Sequence, residues 1–345
     1  MAISQILNVN FSELKQELSS ISSDLILFVI DSEIQKEYPE QIKELQNLNQ
    51  KRVLSFVCSS GENAKSFNEY QNGLNFFLEK NIHRKAHLIA IGGGACTDLG
   101  GFIASTLLRG INWSSVPTTL LGMVDAAIGG KTAINSKYGK NLIGSFYMPK
   151  TVFINTEFLK TLPASEYNSG IGEIIKYGMI NGDIYQSVIK KKEISEIITE
   201  CAHYKNSIVM NDFQESGLRQ ILNYGHTFGH AIEKYYQISH GEAVFWGMYL
   251  IGYLFEGNED LDNLINLNAA FDNPFSKPPW LHKTIPVQNF LEYIKKDKKK
   301  TDDESINLVL SQDNCAEIKQ FKLSIVEDLL NSKIDELKKI EIKNN

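Results

Sequence analysis

The sequence predicts two domains of different class, an α/β domain over residues 1–162 and a mainly α-helical domain over residues 163–345. In the first half, short β-branched apolar segments alternate with helical patterns, which is typical of parallel strands joined by helical crossovers. From about residue 163, apolar residues recur three and four apart, which indicates helices. A glycine triplet also follows one predicted strand, as in α/β proteins that bind nucleotides. The 345 residues suffice for two such domains.

Four apolar runs predict the strands of the first domain: LILFVID (25–31), RVLSFVC (52–58), HLIAIGGG (87–94) and TVFINT (151–156). In the second half, segments such as EIIKYGMI and DIYQSVIKKKEISEIITECAHY predict helices. Between the halves, Pro163 and Ser165 would end one element and cap the next. The domain boundary is therefore expected near KTLPAS (160–165).

Composition bears on location and partners. The net charge of −6 argues against nucleic acid as a partner, which usually requires a basic surface. The start MAISQILNVNF lacks the pattern of a signal peptide, and the longest apolar run, residues 25–30, is too short to span a bilayer. The four cysteines show no CxxC spacing, which fits free thiols in a reducing compartment. We therefore expect a cytoplasmic protein with no membrane partner.

Two glycine-rich segments suggest anion sites. In AIGGGACTDLGGFIAS (90–105), a strand runs into the glycine triplet and then into a helical pattern beginning near Asp98. Exposed backbone N–H groups and the helix dipole favour a pyrophosphate there, so a dinucleotide is one interpretation and a plain turn is the other. A second predicted loop, residues 124–144, carries Lys131, Lys140 and Asn141, which suit a phosphate ester. It lacks the GxxxxGK[ST] spacing of nucleotide triphosphatases.

The segment LNYGHTFGHAIE (222–233) contains a histidine pair with helical spacing. If residues 219–232 form one helix, its polar residues share one face, because they follow steps of four, three and four: Arg219, Asn223, His226 and His230. Such a stripe must face solvent or a satisfied polar site. Core histidines with hydrogen-bond partners are the alternative to metal ligands.

Two further segments supply metal-binding residue types. Glu173 lies in GIGEIIKYGMI (170–180), and His240 lies in SHGEAVFWGM (239–248). One glutamate and two histidines form a common zinc set that leaves positions open for substrate. The residue after His226 is threonine, where the HExxH motif of zinc proteases has its glutamate.

Ordered motifs along nearly the whole chain resemble those of the 3-dehydroquinate synthase family, sugar-phosphate cyclases of the shikimate pathway of aromatic amino-acid biosynthesis. They are GENAKS, GGGACTDLGGF, LLRG, VPTTLL, VDAAIGGKTAIN, GKNLIG, GEIIKYG, LRQILNYGHTFGHAIE, HGEAV and DKKK. The resemblance implies a Rossmann-like NAD-binding N-terminal domain, a helical metal-binding C-terminal domain and usually a homodimer. It also implies conversion of 3-deoxy-D-arabino-heptulosonate 7-phosphate to 3-dehydroquinate and phosphate. The implied steps are transient oxidation by NAD, β-elimination of phosphate, re-reduction and intramolecular aldol closure.

The same resemblance implies roles for individual residues. A divalent metal, zinc or alternatively cobalt, is assigned to Glu173, His226 and His240. The catalytic set is His230, Lys176, Asn223 and Lys131. The contacts to the phosphate are Lys131, Asn141, His230, Lys298 or Lys299, and Arg109 from a partner subunit, while Lys205 and Arg219 meet the carboxylate. The NAD contacts are Asp31, Glu62, Lys65, Gly93, Gly94, Asp98, Thr118, Thr119, Asp125 and Lys140.

Some features depart from the family pattern, and three other functions compete. Glu33 stands where the family often has asparagine, and Ala126 and Ala127 replace common serines.

A cyclase for a substrate without a carboxylate is disfavoured by the carboxylate contacts, because two cations without an anion are costly in a closed site. An NAD- and metal-dependent polyol dehydrogenase would not need the phosphate contacts. The third alternative is a non-catalytic binding or scaffold protein, which the full set of expected ligands argues against.

Overall fold

The computed structural model describes residues 4–255, 258–281, 283, 285–297 and 305–342. The strands are β1 (Gln5–Asn8), β2 (Leu25–Asp31), β3 (Arg52–Cys58), β4 (His87–Gly92), β5 (Asn112–Pro117), β6 (Lys131–Ser136), β7 (Gly139–Phe146), β8 (Thr151–Ile154), β9 (Ser305–Gln312) and β10 (Cys315–Lys322). The α-helices are α1 (Phe11–Ser20), α2 (Ser32–Glu37), α3 (Pro39–Gln46), α4 (Phe67–Leu78), α5 (Gly94–Thr106), α6 (Ala164–Ile180), α7 (Gly182–Ile189), α8 (Ile194–Asn211), α9 (His226–Tyr236), α10 (His240–Phe255), α11 (Asn258–Ala270), α12 (Val287–Asp297) and α13 (Leu323–Leu337).

The N-terminal half contains a six-stranded parallel sheet in the order β1-β8-β5-β4-β2-β3. All residues of the central strands β2 and β4 are buried, as expected for apolar runs covered on both faces. The four predicted strands are present, although β4 and β8 each end two residues earlier than predicted. The α/β prediction for this half is therefore confirmed.

The sequence interpretation missed or misplaced several elements. The predicted glycine-rich loop over residues 124–144 is instead a π-helical turn, Gly122–Ala126, followed by the antiparallel hairpin β6–β7. Helix α5 begins at Gly94 and not near Asp98, because the glycine loop itself forms the first turn. Short edge strand β1, strand β5 with its polar residues, and the C-terminal hairpin β9–β10 were not predicted.

The strand order reverses direction around β2. The chain runs from β2 to β3 on one side, and then returns to place β4 and β5 on the other side. In open α/β sheets, ligands bind at the carboxyl edge beside such a reversal. Asp31 ends β2 at this edge, and Gly92 ends β4; a Cβ added to Gly92 would lie 2.9 Å from Cβ of Asp31. The two loops therefore meet closely at the predicted dinucleotide site.

Contacts divide the chain into two compact units, Met1–Pro163 with Ala202–Gln214, and Ala164–Cys201 with Glu215–Asn345. The split after Pro163 lies one residue from the expected boundary, but the last turns of α8 group with the N-terminal unit. There, Lys205 forms an ion pair with Asp125, and Asn206 donates a hydrogen bond to the Ser4 carbonyl. The division is thus not between two contiguous segments, and the assignment of NAD and metal to the two units stays a prediction.

The second unit is mainly helical, but the expected continuous helix over residues 219–232 is absent. A 3-10 helix, Leu218–Asn223, ends before Tyr224, and α9 begins at His226. Gly225 lies between them with φ +77°, a conformation that favours glycine, and a Cβ there would lie 2.5 Å from Met248 Cγ. Arg219 and Asn223 therefore do not continue the stripe of His226 and His230. Within the described part of the chain, no helix is sufficiently long and apolar to cross a membrane.

Candidate functional site

Three helices of the second unit bring Glu173, His226 and His240 together. Glu173 lies in α6, His226 begins α9, and His240 begins α10. One ligand atom from each side chain lies within 4.8 Å of the others. Oε1 of Glu173 is 3.4 Å from Nε2 of His226 and 3.2 Å from Nε2 of His240. The structure therefore brings together the carboxylate and the two imidazoles that were candidate metal ligands in the sequence.

Each of these three residues is next to a glycine that permits close helix contact. A Cβ on Gly172 would lie 2.2 Å from the Gly241 carbonyl oxygen, and a Cβ on Gly241 would lie 1.9 Å from the Ser169 carbonyl oxygen. On the other side, a Cβ on Gly247 would lie 2.0 Å from the Gly225 carbonyl oxygen. Main-chain contact between α6 and α10, and between Gly225 and α10, thus sets the spacing of the neighbouring side chains.

Replacing Gly241 with alanine is expected to destabilise the fold by about 3 kcal/mol or more, because the added methyl group would clash with main-chain atoms of Ser169, which cannot move away as a side chain could. The matched control is Gly182→Ala at the start of α7, where an added Cβ has nothing within 4 Å. That change should alter the free energy of unfolding by less than about 1 kcal/mol, towards greater stability. Urea unfolding of both variants measures the difference. Equal stabilities would contradict the close helix contact.

The outer atoms of the three side chains have partners. Nδ1 of His226 is 3.0 Å from the carbonyl oxygen of Tyr224, and Nδ1 of His240 is 3.0 Å from Oε2 of Glu233. Oε2 of Glu173 forms an ion pair with the buried ammonium group of Lys176. Oε1 of Glu173 is buried and accepts no hydrogen bond from the described residues. An orphaned buried carboxylate oxygen is costly, and a cation beside the two Nε2 atoms would satisfy it. The donor set therefore fits a divalent metal ion.

The electrostatics of the cluster keep its carboxylate ionised. Burial alone would raise the pKa of Glu173, but the charges of Lys176 and His226 lower that pKa well below its usual range. Burial lowers the pKa of His226, and Glu173 opposes that shift. Burial would also lower the pKa of His240, but contacts with Glu173 and Glu233 raise it to about 10. Glu173 is thus ionised, and a bound cation would have to displace the proton from His240.

His230, Lys176 and Asn223 are placed differently with respect to this cluster. The His230 ring centroid lies 5.4 Å from that of His226 and 6.1 Å from that of His240, so His230 is a neighbour of the cluster. The group that could hold a metal within the described residues consists of Glu173, His226 and His240. Lys176 is buried against Glu173, while Asn223 donates a 2.8 Å hydrogen bond to Glu215. The histidine pair is therefore divided between two environments.

The predicted NAD contacts lie in the N-terminal unit, most of them after the carboxyl ends of adjacent parallel strands. Gly93 caps α5, and a Cβ there would lie 3.0 Å from Cγ2 of Thr119 in the segment after β5. A Cβ on Gly94 would lie 3.1 Å from Cβ of Ala126. The remaining positions are Asp31 at the end of β2, Glu62 and Lys65 in a 3-10 helix after β3, Thr118 after β5, Asp98 in α5, Asp125 in the π-helical turn and Lys140 in β7. This placement matches the ligand edge of doubly wound sheets.

Two lysines link predicted cofactor and substrate residues. Lys65 is buried and contacts both Asp98 and Asn141. Nζ of Lys205 lies 2.9 Å from Oδ2 of Asp125 and 2.7 Å from its carbonyl oxygen. Each lysine therefore fixes an acidic side chain at the sheet edge.

The other predicted substrate contacts fall into two classes. Arg109, Lys131 and Asn141 are exposed, and Arg109 and Asn141 have φ values of +69° and +59°. Arg219 is only 2% exposed. Lys298 and Lys299 lie outside the described residues.

The structure also brings in two acidic residues that the sequence interpretation missed. Glu215 accepts the hydrogen bond from Asn223, and Glu233 contacts His240. Glu233 could have been found by helical spacing, since it lies seven residues after His226 and three after His230. Glu215 precedes the 3-10 helix in an irregular segment, where periodicity gives no signal.

Comparison with known proteins identifies both halves of the chain. Residues 55–169 match the model of the 3-dehydroquinate synthase N-terminal domain, and residues 170–300 match that of the C-terminal domain. The 3-dehydroquinate synthase of Alkaliphilus metalliredigens (strain QYMF) is 42% identical over 241 residues, 66% of this chain and 67% of that protein. The 3-dehydroquinate synthase of Staphylococcus aureus (strain JH9) is 35% identical over 302 residues, 83% of each chain.

A solved structure shows the same fold. It is ValA, the 2-epi-5-epi-valiolone synthase of Streptomyces hygroscopicus subsp. jinggangensis 5008, with NAD+ and Zn2+ bound. The TM-score is 0.81 at 21% identity, over 96% of this chain and 97% of that one. The two domain matches and the Staphylococcus aureus relative show that the chain belongs to the 3-dehydroquinate synthase family.

Proposed function

We propose that the chain converts 3-deoxy-D-arabino-heptulosonate 7-phosphate to 3-dehydroquinate and phosphate, the reaction of a phosphate-eliminating cyclase. The observation that carries this proposal is the convergence of Glu173, His226 and His240 within 4.8 Å, in a chain whose two halves match the two family domains. These three residues would hold the divalent ion, zinc in this proposal and cobalt as the alternative. When bound, the ion and NAD supply oxygen polarisation and reversible hydride exchange at C5.

The side chains around the metal ligands would handle protons and hydroxyl groups. Lys176 is buried with its ammonium group on Glu173, and this group would donate a hydrogen bond to a substrate hydroxyl. Asn223, oriented by Glu215, would bind a second hydroxyl. His230 is exposed beside the other two histidines, which supports the proposal that it transfers a proton as phosphate leaves.

The substrate's phosphate would be bound by several exposed cations and amides. In this proposal Lys131 and Asn141, on the two strands of the β6–β7 hairpin, bind phosphate together with His230 and one of Lys298 and Lys299. Arg109 of the partner subunit would complete the set in a homodimer. The exposed positions of Lys131 and Asn141 support this assignment, since an anion must reach them from solvent.

At the other end of the substrate, Lys205 and Arg219 would bind the carboxylate. Lys205 carries one positive charge near Asp125, and the planar guanidinium of Arg219 can bind a carboxylate with two parallel hydrogen bonds. A carboxylate-free sugar phosphate would lack the anion that these two cations are proposed to bind. This pairing favours the heptulosonate over the substrates of other cyclases.

The NAD proposal makes a pH-dependent prediction at Asp98. Burial raises the pKa of Asp98 to about 6, with Lys65 opposing that shift, so the carboxyl group is neutral below that pH and ionised above it. The ionised form would attract the cationic nicotinamide ring. The affinity for NAD should therefore be constant above about pH 7 and fall by up to about tenfold per pH unit below about pH 6. Calorimetric titration measures it, and the Asp98→Asn variant should show no such fall; an identical fall in both proteins would contradict the assignment.

The function itself is tested with purified protein, the heptulosonate phosphate, zinc and NAD at a small fraction of the substrate concentration. Phosphate and 3-dehydroquinate should appear together through many turnovers per NAD, because the C5 carbon is reduced again before product leaves. NADH accumulating in step with substrate loss would indicate a polyol dehydrogenase. Phosphate release from carboxylate-free sugar phosphates alone would indicate another cyclase, and no reaction in any assay would favour the binding or scaffold protein.

A cytoplasmic location also belongs to this proposal. Its support is the chemistry of the cysteines: Cys58 and Cys96 are buried free thiols with their sulfur atoms 3.7 Å apart, an arrangement suited to a reducing compartment.

A further inference from the structure

His240 is contacted by a carboxylate on each of its two ring nitrogens. Nε2 lies 3.2 Å from Oε1 of Glu173, and Nδ1 lies 3.0 Å from Oε2 of Glu233. Glu173 belongs to the proposed metal site, whereas Glu233 has no role in the reaction described above. The His240 and Glu233 side chains are 29% and 25% exposed, so both are largely shielded from water.

The contact with Glu233 determines which nitrogen of the His240 imidazole carries hydrogen and how the ring is oriented. A carboxylate accepts hydrogen bonds and cannot donate them, so the nitrogen facing Glu233 must be the one that carries hydrogen. Nε2 faces Oε1 of Glu173, so a bound cation would replace any hydrogen on Nε2 and take its lone pair, while Nδ1 keeps its hydrogen towards Glu233. That lone pair lies on the side of Glu173 and His226. The carboxylate on Nδ1 thus fixes both the ring orientation and the tautomer that a metal ion requires.

His226 offers a natural comparison within the same site. Its Nδ1 lies 3.0 Å from the main-chain carbonyl oxygen of Tyr224, an uncharged acceptor that side-chain substitution does not remove. The outer nitrogen of His240 instead depends on a side chain. A carboxylate also makes the imidazole a stronger ligand than a carbonyl does, because its negative charge raises the electron density of the ring.

The position of Glu233 on α9 explains how it reaches His240. His226, His230 and Glu233 follow steps of four and three residues, and so lie along one face of the helix. Helix α10 begins at His240 and contacts α9 through Gly229, whose Cβ would lie 3.1 Å from the Ala243 carbonyl oxygen. The same face of α9 therefore supplies one proposed ligand directly and contacts a second one.

We propose that Glu233 is a positioning residue for the metal site, orienting His240 through a carboxylate–imidazole–metal arrangement. This inference rests on the proposed metal-binding role of Glu173, His226 and His240. Glu233 itself does not touch metal or substrate. Its removal should therefore weaken metal binding without changing the set of three ligands.

The test uses the full chain, stripped of metal with a chelator and titrated with Co²⁺ or Zn²⁺ against a chromophoric competitor. Glu233→Gln keeps the shape of the side chain but removes its charge, and should weaken metal binding about 10- to 100-fold. The visible absorption of bound Co²⁺ should also change, because the field of the His240 ligand changes. Glu233→Asp, which keeps the charge, should recover part of the affinity. Glu292→Gln, an exposed carboxylate on α12, is the matched control and should bind like the parent chain.

The outcomes separate this inference from the proposed function. Glu233→Gln with parental affinity and an unchanged Co²⁺ spectrum overturns the role of Glu233, provided that His226→Ala lowers the affinity in the same assay. If the parent chain binds neither ion, or His226→Ala binds as the parent does, the metal site itself is wrong and the role of Glu233 is lost with it. If circular dichroism shows that Glu233→Gln is unfolded, the Asp and Ala variants at this position decide by the same measurements.

Discussion

Replacing His226 with alanine is expected to remove both metal binding and turnover, whereas replacing His230 is expected to remove turnover and leave the metal bound. His226 Nε2 faces Oε1 of Glu173 at 3.4 Å, while His230 lies outside the group that could hold a metal. Loss of one protein ligand should cost roughly 3 kcal/mol, its share of the 10–16 kcal/mol typical of four-ligand zinc sites, or more than a hundredfold in affinity. Loss of a proton-transferring histidine should lower kcat by about 10²- to 10⁴-fold.

The two substituted positions lie four residues apart on one helix, and each variant serves as the control for the other. Metal content after dialysis and single-turnover phosphate release give the two readouts. A His230→Ala protein that loses its metal, or a His226→Ala protein that keeps it, would reverse the proposed roles. Circular dichroism of both proteins checks that α9 is intact, since His226 is its first residue.

The second large effect is expected at Arg219. If its guanidinium binds the substrate carboxylate, loss of that charge-assisted contact should reduce kcat/KM by about 2–5 kcal/mol of transition-state binding. An ordinary surface salt bridge would contribute less than about 1 kcal/mol. Arg219 is only 2% exposed, so Arg219→Lys, which keeps the charge but loses the planar fork, accompanies Arg219→Ala.

The decisive comparison uses two substrates, the heptulosonate phosphate and an analogue lacking the carboxylate. Arg219→Ala, Arg219→Lys and Lys205→Ala should each lose much more activity on the first substrate than on the second. Equal losses on both would show that neither residue recognises the carboxylate, and a cyclase for carboxylate-free substrates would then be favoured. The comparison does not depend on a continuous helix from Arg219 to His230, which the structure replaces with a 3-10 helix and a break at Gly225.

Periodicity was sufficient for the buried elements and insufficient for the irregular ones. Strands β2 and β3 were predicted with their observed bounds because apolar and β-branched residues predominate in both. The β6–β7 hairpin was interpreted as a loop because it follows a Gly-Gly pair and contains several glycines and lysines, and because β7 is exposed along most of its length. The break at Gly225 depends on its close approach to main-chain atoms of Val244 and Met248, which are distant in sequence, so local spacing could not reveal it.

The candidate site was predicted unevenly for a similar reason. Residue type pointed to the histidine pair together with Glu173 and His240, the family resemblance selected His226 from that pair, and the structure brings the three residues together. The partners of these residues were not recognised: the Tyr224 carbonyl has no side-chain signature, and the contact of Glu233 with His240 depends on the turn between α9 and α10. Such contacts follow from tertiary packing, which cannot be read from the local pattern of a single sequence.

The glycines beside Glu173, His226 and His240 determine which substitutions around this site can accumulate during evolution. Because main-chain contacts at Gly172, Gly225 and Gly241 set the ligand spacing, exchange of nearby apolar side chains need not alter it. Met248, which packs against Gly225, could be varied in a library of aliphatic residues with little effect on metal affinity. Substitution of any of the three glycines should therefore disrupt the site, whereas substitution among apolar residues around them should be tolerated.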